Sequence, residues 1–206
     1  VEVAGRLARA RVTEAPEDVG LTEHLETCAP DSRAAVVHVP RGAPLPVFDR
    51  AGRQRRGAFD TPRQLVREVL DHAISACGRT ATSGLDPACG TGAFLVAMAE
   101  RGLASIEGIE LDPRAAAVAR VAAPRATVRV GDGLLGEEGV TADVVAGNPP
   151  FVPPERQDKA LRRRLTERFA WLDRRFDIAV PFAASALGRV HPGGGLALVL
   201  PASIAV

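Results

Sequence analysis

Tyrosine is absent from the 206 residues, and aromatic side chains make up only 4% of them, whereas Ala, Arg, Gly and Pro are abundant. That balance reads as codon bias rather than function. Only three cysteines occur, Cys28, Cys77 and Cys89. Their irregular spacing excludes a disulfide framework and a zinc pattern. Four scattered histidines add no ligand pair, so no metal is expected. No apolar run reaches ~18 residues, which excludes a membrane-spanning helix. The first residues, VEVAGRLARARVTEAPED, are too polar for a secretion signal. A soluble, reducing, cytoplasmic setting is expected. Charge of one sign is missing too: Lys and Arg number 26 against 25 Asp and Glu, so the chain as a whole does not announce a nucleic-acid partner.

The chain does contain enough apolar material for a sizeable core, 46% of its residues. Its charge is also unevenly placed. Six arginines oppose two acids between Asp49 and Arg67, and eight basic residues oppose four acids between Glu155 and Phe176. Such clusters serve as solvated faces in most proteins, but next to a catalytic motif they would suit a phosphate backbone.

Residues 1–50 mix short helical patterns with Pro and Gly breaks and are expected to form an N-terminal extension or partial helical subdomain. From residue 51 a second domain is expected to run to residue 206. "TPRQLVREVLDHAIS" has Thr61 as its expected N-cap and Pro62 at the first helical position, with apolar residues at helical spacing. After it, strands "TSGLD", "SIEGIEL", "ATVRVGD", "ADVVAGN" and "LALVLP" alternate with helices "GAFLVAMAERG", "DPRAAAVARVAA", "DKALRRRLTERFAWL" and "DIAVPFAASALGRV". "HPGGG" is expected to be the turn before the last strand. Strands alternating with helices imply an α/β, doubly wound, mostly parallel sheet, Rossmann-like, which here looks cut after its fifth strand. On this reading the strand Leu196–Leu200 would lack a neighbour.

Chemistry concentrates at strand ends. "LDPACGTGAF" (85–94) joins the first of these strands to its helix, a glycine turn that lets the backbone approach a ligand while the helix start supplies N–H donors. Asp86 inside the turn would repel a pyrophosphate and hold a cationic ligand with an amino-acid end. Two more acids close the next two strands, Glu110 in "GIELDP" and Asp132 in "VGDGL", placed for a ribose diol and an adenine amine respectively. The fourth strand ends abruptly on "NPPF" (148–151), where two prolines without N–H stop the ladder at once. Cys89 has no base nearby in sequence and reads as a small turn residue. Trp171 and Phe169 read as core.

"DPACGTGAF", "GIELDP", "VGDGL" and "NPPF", in this order and spacing, resemble the motif series of S-adenosylmethionine-dependent methyltransferases acting on amino groups. "GAFDTPRQLV" resembles the motif that precedes the glycine turn in DNA amino-methyltransferases. "RFDIAVPFAASALGRVHPGGGLALVLPASI" resembles the segment after the tetrapeptide in adenine methylases of restriction-modification systems. The resemblance covers about residues 56–206. It implies the class I methyltransferase fold and S-adenosylmethionine as cofactor, held by Thr61, Asp86, Pro87, Ala88, Cys89, Gly90, Gly92, Glu110, Asp132 and Pro150. It also implies adenine in double-stranded DNA as substrate, with Asn148, Pro149, Pro150 and Phe151 as the catalytic tetrapeptide.

The tetrapeptide then has a chemical rationale. An adenine amine is a poor nucleophile because its lone pair is conjugated into the ring. If Asn148 and the Pro149 carbonyl accept its hydrogens, the nitrogen becomes more tetrahedral and its lone pair turns toward the methyl donor. The prolines hold that carbonyl rigidly, which is preorganisation. Phe151 offers a face for a base extruded from the duplex, where related enzymes often carry Tyr. The same tetrapeptide would serve a methyltransferase acting on rRNA guanine or protein glutamine, and a silent methyltransferase-fold subunit would keep the cofactor site alone. Target recognition would fall to a fused C-terminal region or to a specificity or restriction subunit.

Overall fold

A computed structural model describes residues 2–4, 8–11, 33–39 and 61–201, apart from 137, 138 and 174. Strands β1 (Glu2–Ala4) and β2 (Ala8–Arg11) form an antiparallel pair. The remaining strands are β3 (Arg33–Val39), β4 (Ser83–Asp86), β5 (Ser105–Glu110), β6 (Thr127–Val130), β7 (Ala142–Gly147) and β8 (Val190–Pro201). They make one six-stranded sheet in the order β3-β8-β7-β4-β5-β6, and every pairing in it is parallel. The chain runs outward from β4 through β5 to β6, then returns to the other side of β4 for β7 and β8. Strand order therefore reverses at the β4–β7 boundary, where open parallel sheets bind their ligands.

Two sequence expectations change here. The sheet does not stop at five strands: β3, from the segment expected to be partly helical, pairs with β8 from Arg33↔Gly195 to Val39↔Pro201. Leu196–Leu200 thus has a strand on each side. "RAAVVHV" carries three valines in seven residues, and this β-branched content favours a strand even though Pro and Gly surround it. Nor is "HPGGG" a turn before the last strand. It is a bulge within β8, where Ala142 pairs with Val190 but Val144 pairs with Gly195. Gly193, at φ 76°, takes up the irregularity.

The described residues include five α-helices: α1 (Arg63–Ala76), α2 (Ala93–Glu100), α3 (Pro113–Ala122), α4 (Lys159–Arg168) and α5 (Ala179–Leu187). Asp112 caps α3 by accepting from Arg114 N at 2.9 Å, with Pro113 at the first helical position as expected. Asp158 caps α4 through Ala160 N at 2.6 Å.

Side chains alternate across β7 and β8, so each face of the sheet receives its own layer. Val144, Ala146, Ala197 and Val199 pack with Val66, Val69 and Leu70 of α1, Leu95 and Met98 of α2, and Ala116 and Ala119 of α3. Val145, Leu196, Leu198 and Leu200 face Ala179, Ala183, Ala186 and Leu187 of α5. A third cluster, including Leu134, Val152, Leu165, Phe169, Phe176 and Phe182, lies under α4 and the segment after the tetrapeptide. Trp171 packs against this cluster edge-to-face with Phe169, ring centroids 6.0 Å apart, so both rings belong to the core side as expected. Among the described residues no helix is long and apolar enough to cross a membrane, and no group of three or more His, Cys, Asp or Glu could hold a metal ion.

Candidate active site

The carboxyl ends of β4, β5, β6 and β7 bring the sequence-predicted residues to one side of the sheet. β4 ends on Asp86 and opens the turn Pro87–Gly92. Gly90 and Gly92 adopt φ 54° and 94°, conformations that a side chain would strain, and nothing lies within 4 Å of where a Cβ on Gly90 would stand. The turn is stitched to the next strand: Cys89 N donates to Ile109 O (2.9 Å), and Gly90 N donates to Glu110 Oε2 (2.8 Å). Glu110 Oε1 accepts from Asp112 N (2.8 Å), so this one carboxylate ties the glycine turn to the start of α3. At the end of β6, Asp132 Oδ1 accepts from Leu134 N and Leu135 N, both at 2.9 Å, and organises its own loop. Gly131 N donates to Glu110 O at 2.9 Å, which joins the ends of β5 and β6.

Asp86 differs from its sequence expectation in one respect. Its side chain is 1% exposed and turned inward, with Oδ1 accepting from Ala88 N at 2.9 Å. A Cβ on Gly147 would stand 2.6 Å from that oxygen, so only glycine at the end of β7 leaves room for the carboxyl. Burial pushes the carboxyl up to about 7 against the pull of the Ala88 N–H, and the charge of Glu110 adds to the rise. Burial also raises the Cys89 thiol, with Asp86 and Glu110 adding to it. Cys89 is therefore an inert turn residue, as its sequence context suggests.

The tetrapeptide follows β7 directly. Asn148 Nδ2 donates to Thr61 Oγ1 at 3.0 Å. This contact corrects the expectation for Thr61: α1 begins at Arg63 after Pro62 with no side-chain cap, because the threonine hydroxyl is committed to Asn148 instead. The other end of the amide, Asn148 Oδ1, is buried and has no hydrogen-bond partner among the described residues. An unsatisfied buried acceptor costs about 1–3 kcal/mol. Phe151 is half-buried and packs against both hydrophobic layers of the sheet, which fixes its ring.

Three supporting residues escaped the sequence reading. Asp177 and Gln157 bind the backbone of Val152, immediately after Phe151. Asp143 lies at the opposite end of β7. Its Oδ2 accepts from Thr82 N (2.8 Å), Thr82 Oγ1 (2.9 Å) and Ser83 N (3.0 Å), and its Oδ1 meets Arg79 and His191 Nδ1 (3.2 Å). Burial alone would raise this carboxyl, but the bonds from Thr82, His191 and Ser83 outweigh it and hold it well below the usual carboxylate range. Asp143 pins strand β4 to β7 at the end remote from the tetrapeptide. An acid opening a run of buried residues was the only sequence signal for it.

The first basic cluster lies largely outside the described residues; its described members Arg63 and Arg67 both pair with Glu100, at 3.1 and 3.4 Å. In the second cluster Arg175 pairs with Glu155, Arg163 pairs with Glu167 at 3.5 Å, and Arg162 binds the Pro154 carbonyl. Arg156, Lys159 and Arg164 are exposed beside them on the segment leading from the tetrapeptide into α4.

This strand order, with its glycine turn and successive strand-end acids, is the fold of class I S-adenosylmethionine-dependent methyltransferases. A solved Listeria monocytogenes chain described by that class is similar at a TM-score of 0.50 and 21% identity, over 65% of this chain and 43% of that one. An S-adenosylmethionine-bound amino pentose methyltransferase from Micromonospora echinaspora reaches a TM-score of 0.46 at 26% identity, over 78% of this chain and 58% of that one. The chain itself belongs to the N-6 DNA Methylase family, whose model matches residues 45–205. A Type II methyltransferase of Thermus thermophilus is 29% identical over 159 residues, 71% of this chain and 35% of that protein. This chain therefore spans about a third of the length of that curated relative.

Proposed function

We propose that this protein transfers a methyl group from S-adenosylmethionine to the exocyclic amine of adenine in double-stranded DNA. The observation that carries the reading is the Asn148 amide: its nitrogen is fixed by Thr61, and its buried oxygen has no partner among the described residues. An amine presented to that oxygen supplies the missing donor. Accepting one amine hydrogen localises the nitrogen lone pair and makes the nitrogen a better nucleophile. The Pro149 carbonyl, held between two rigid residues, accepts a hydrogen bond from the second N–H. Once the methyl is on nitrogen, the demethylated cofactor is the leaving group and the surplus amine proton passes to water. Phe151 stacks on the base once it has left the duplex, a contact that needs the ring to be fixed beforehand.

The residues at the glycine turn fit the cofactor. The backbone is open above Gly90, the buried Asp86 carboxyl favours a cationic ligand, and Glu110 and Asp132 stand at strand ends suited to a ribose and an adenine amine. When bound, S-adenosylmethionine supplies an electrophilic methyl group. Thr61 and the backbone of Asp86–Gly92 would hold its methionine end, and Pro150 would contribute to the same cofactor site. The exposed basic residues Arg156, Lys159 and Arg164 follow the tetrapeptide and suit phosphates flanking the target base. Selection of a DNA sequence would fall to a fused C-terminal region or to a specificity or restriction subunit. A restriction-modification role in the cytoplasm is part of the same proposal.

The test is methyl transfer by the full-length protein. Tritiated S-adenosylmethionine and duplex DNA are incubated with it, and the nucleosides are separated after digestion. Label in N6-methyladenine is expected. Parallel incubations with rRNA and with a glutamine-containing protein substrate test the alternatives, and label in RNA guanine or in a protein glutamine with none in DNA adenine would replace this reading.

A further inference from the structure

The chain leaving Phe151 is held at one residue from several sides. Val152 N donates to Asp177 Oδ1 at 3.1 Å, and the Val152 carbonyl accepts from Gln157 Nε2 at 2.9 Å and from Ile178 N at 3.2 Å. Gln157 Nε2 also donates to Phe176 O at 2.5 Å, and Asp177 Oδ1 also accepts from Ala179 N at 2.9 Å. Gln157 is buried, and the Val152 side chain sits among Leu165, Phe169, Phe176 and Ile178. Backbone groups of a connecting segment usually face water. Here two polar side chains and a backbone amide are committed to the two backbone groups of a single residue. The cost is visible, since burial raises the Asp177 carboxyl against the pull of the Ala179 and Val152 amides, and Gln157 Oε1 is left buried without a partner among the described residues.

The purpose lies one residue upstream. Asn148 is fixed by Thr61 at one end of the tetrapeptide, two prolines stiffen its middle, and Val152 is fixed just past the other end. We infer that Asp177 and Gln157 are positioning residues for methyl transfer: by immobilising Val152 they keep the Phe151 ring and the Asn148 oxygen in one fixed relation. The inference rests on the methyl-transfer reading above. Small displacements in a preorganised site are costly, on the order of 10²-fold for about 1 Å, and Val152 is the first residue past Phe151 whose backbone is held on both its N–H and its carbonyl.

The two side chains act through different atoms, so conservative variants separate positioning from mere presence. Asp177 works as an acceptor, and Asp177→Asn retains an oxygen for both amides whereas Asp177→Ala removes it. Gln157 works as a donor to two carbonyls, and Gln157→Glu keeps the shape while opposing those carbonyls with oxygen. The full-length variants are compared by amide hydrogen exchange at Val152, by S-adenosylmethionine binding in a calorimeter, and by single-turnover methylation of duplex DNA. Asp177→Ala should accelerate exchange of the Val152 amide at least about tenfold. It should slow methylation roughly 10–100-fold, with cofactor affinity within about twofold of wild type because the glycine turn is untouched. Asp177→Asn should restore both exchange and rate, and Gln157→Glu should slow methylation like Asp177→Ala. Unchanged Val152 exchange in Asp177→Ala overturns the clamp, whether or not the wild-type protein methylates adenine. Faster exchange with a wild-type rate, or an Asn variant as slow as the Ala variant, overturns the positioning role. A wild-type protein that leaves DNA adenine unmethylated refutes the function and leaves the exchange measurement to judge the clamp.

Discussion

Asp86 is a buried carboxyl raised to about 7, directly beneath the turn proposed to receive a cationic cofactor. If its ionised form is the one that attracts the cofactor, affinity must follow the ionised fraction. At pH 6 about a tenth of Asp86 is ionised, and at pH 8 about nine-tenths, so apparent affinity should be roughly tenfold weaker at pH 6. Asp86→Asn keeps an oxygen for the Ala88 amide but has no charge to lose; it should bind S-adenosylmethionine weakly at both values, without the pH dependence. Stability supplies a second readout with a definite sign. The ordinary carboxyl value is 3.8, and burial in the folded protein raises it to about 7. The folded state is favoured below pH 4, and that advantage is lost as pH rises through 7. The cost of ionising Asp86 in the folded protein is on the order of 4 kcal/mol above pH 7. Asp86→Asn escapes it, so the variant should be more stable than wild type at pH 8, with the gap closing toward pH 4. Calorimetric titration and thermal melts at pH 4, 6 and 8 measure both effects. A pH-independent wild-type affinity, or a stability difference constant across that range, would refute the reasoning.

Glu110→Ala and Asp132→Ala should each weaken cofactor binding by about 1–3 kcal/mol through lost ribose or adenine hydrogen bonds; wild-type calorimetric affinity in both would sink that assignment. Phe151→Ala should slow methylation through loss of a base-stacking contact worth ~1–3 kcal/mol, whereas Phe151→Tyr should keep most activity, and equal damage in the two would exclude stacking. Asp143 is held below the usual carboxylate range, so its contribution to stability is present above pH 4 and fades as pH falls below it. Asp143→Ala should destabilise the fold by at least about 2 kcal/mol, by stranding the Thr82 and Ser83 amides, with the difference from wild type shrinking in acid; melts of equal midpoint at pH 7 would show the staple to be idle.

The alternation of β4, α2, β5, α3, β6 and β7 was legible because apolar period and glycine or proline punctuation agree locally from Thr61 onward. The three strand-end acids were legible for the same reason, since each closes a strand that its own residues define. What could not be read depends on contacts distant in sequence. Thr61 has the spacing of a helix cap, and only the fold reveals that Asn148, 87 residues later, claims its hydroxyl. The inward turn of Asp86 depends on Gly147 of a different strand. β3 lies 151 residues or more from the strand it pairs with, and its Pro- and Gly-rich surroundings hide its valines. Asp177 and Gln157 act on a backbone that no pattern in the sequence links to them. Residues 40–60, which include the "GAFD" of the upstream motif and most of the first basic cluster, lie outside the described residues.

The central claim is that the unpartnered oxygen of Asn148 accepts a hydrogen from the target amine, and the most direct test is the single-turnover rate of N6-methyladenine formation by Asn148→Ala, with S-adenosylmethionine affinity measured on the same preparation. Losing one acceptor in a preorganised site costs roughly 10²–10³ in rate. The account predicts a fall of that size with cofactor affinity changed no more than a few-fold. N6-methyladenine formed at the wild-type rate, or a loss of rate matched by an equal loss of cofactor affinity, would contradict it.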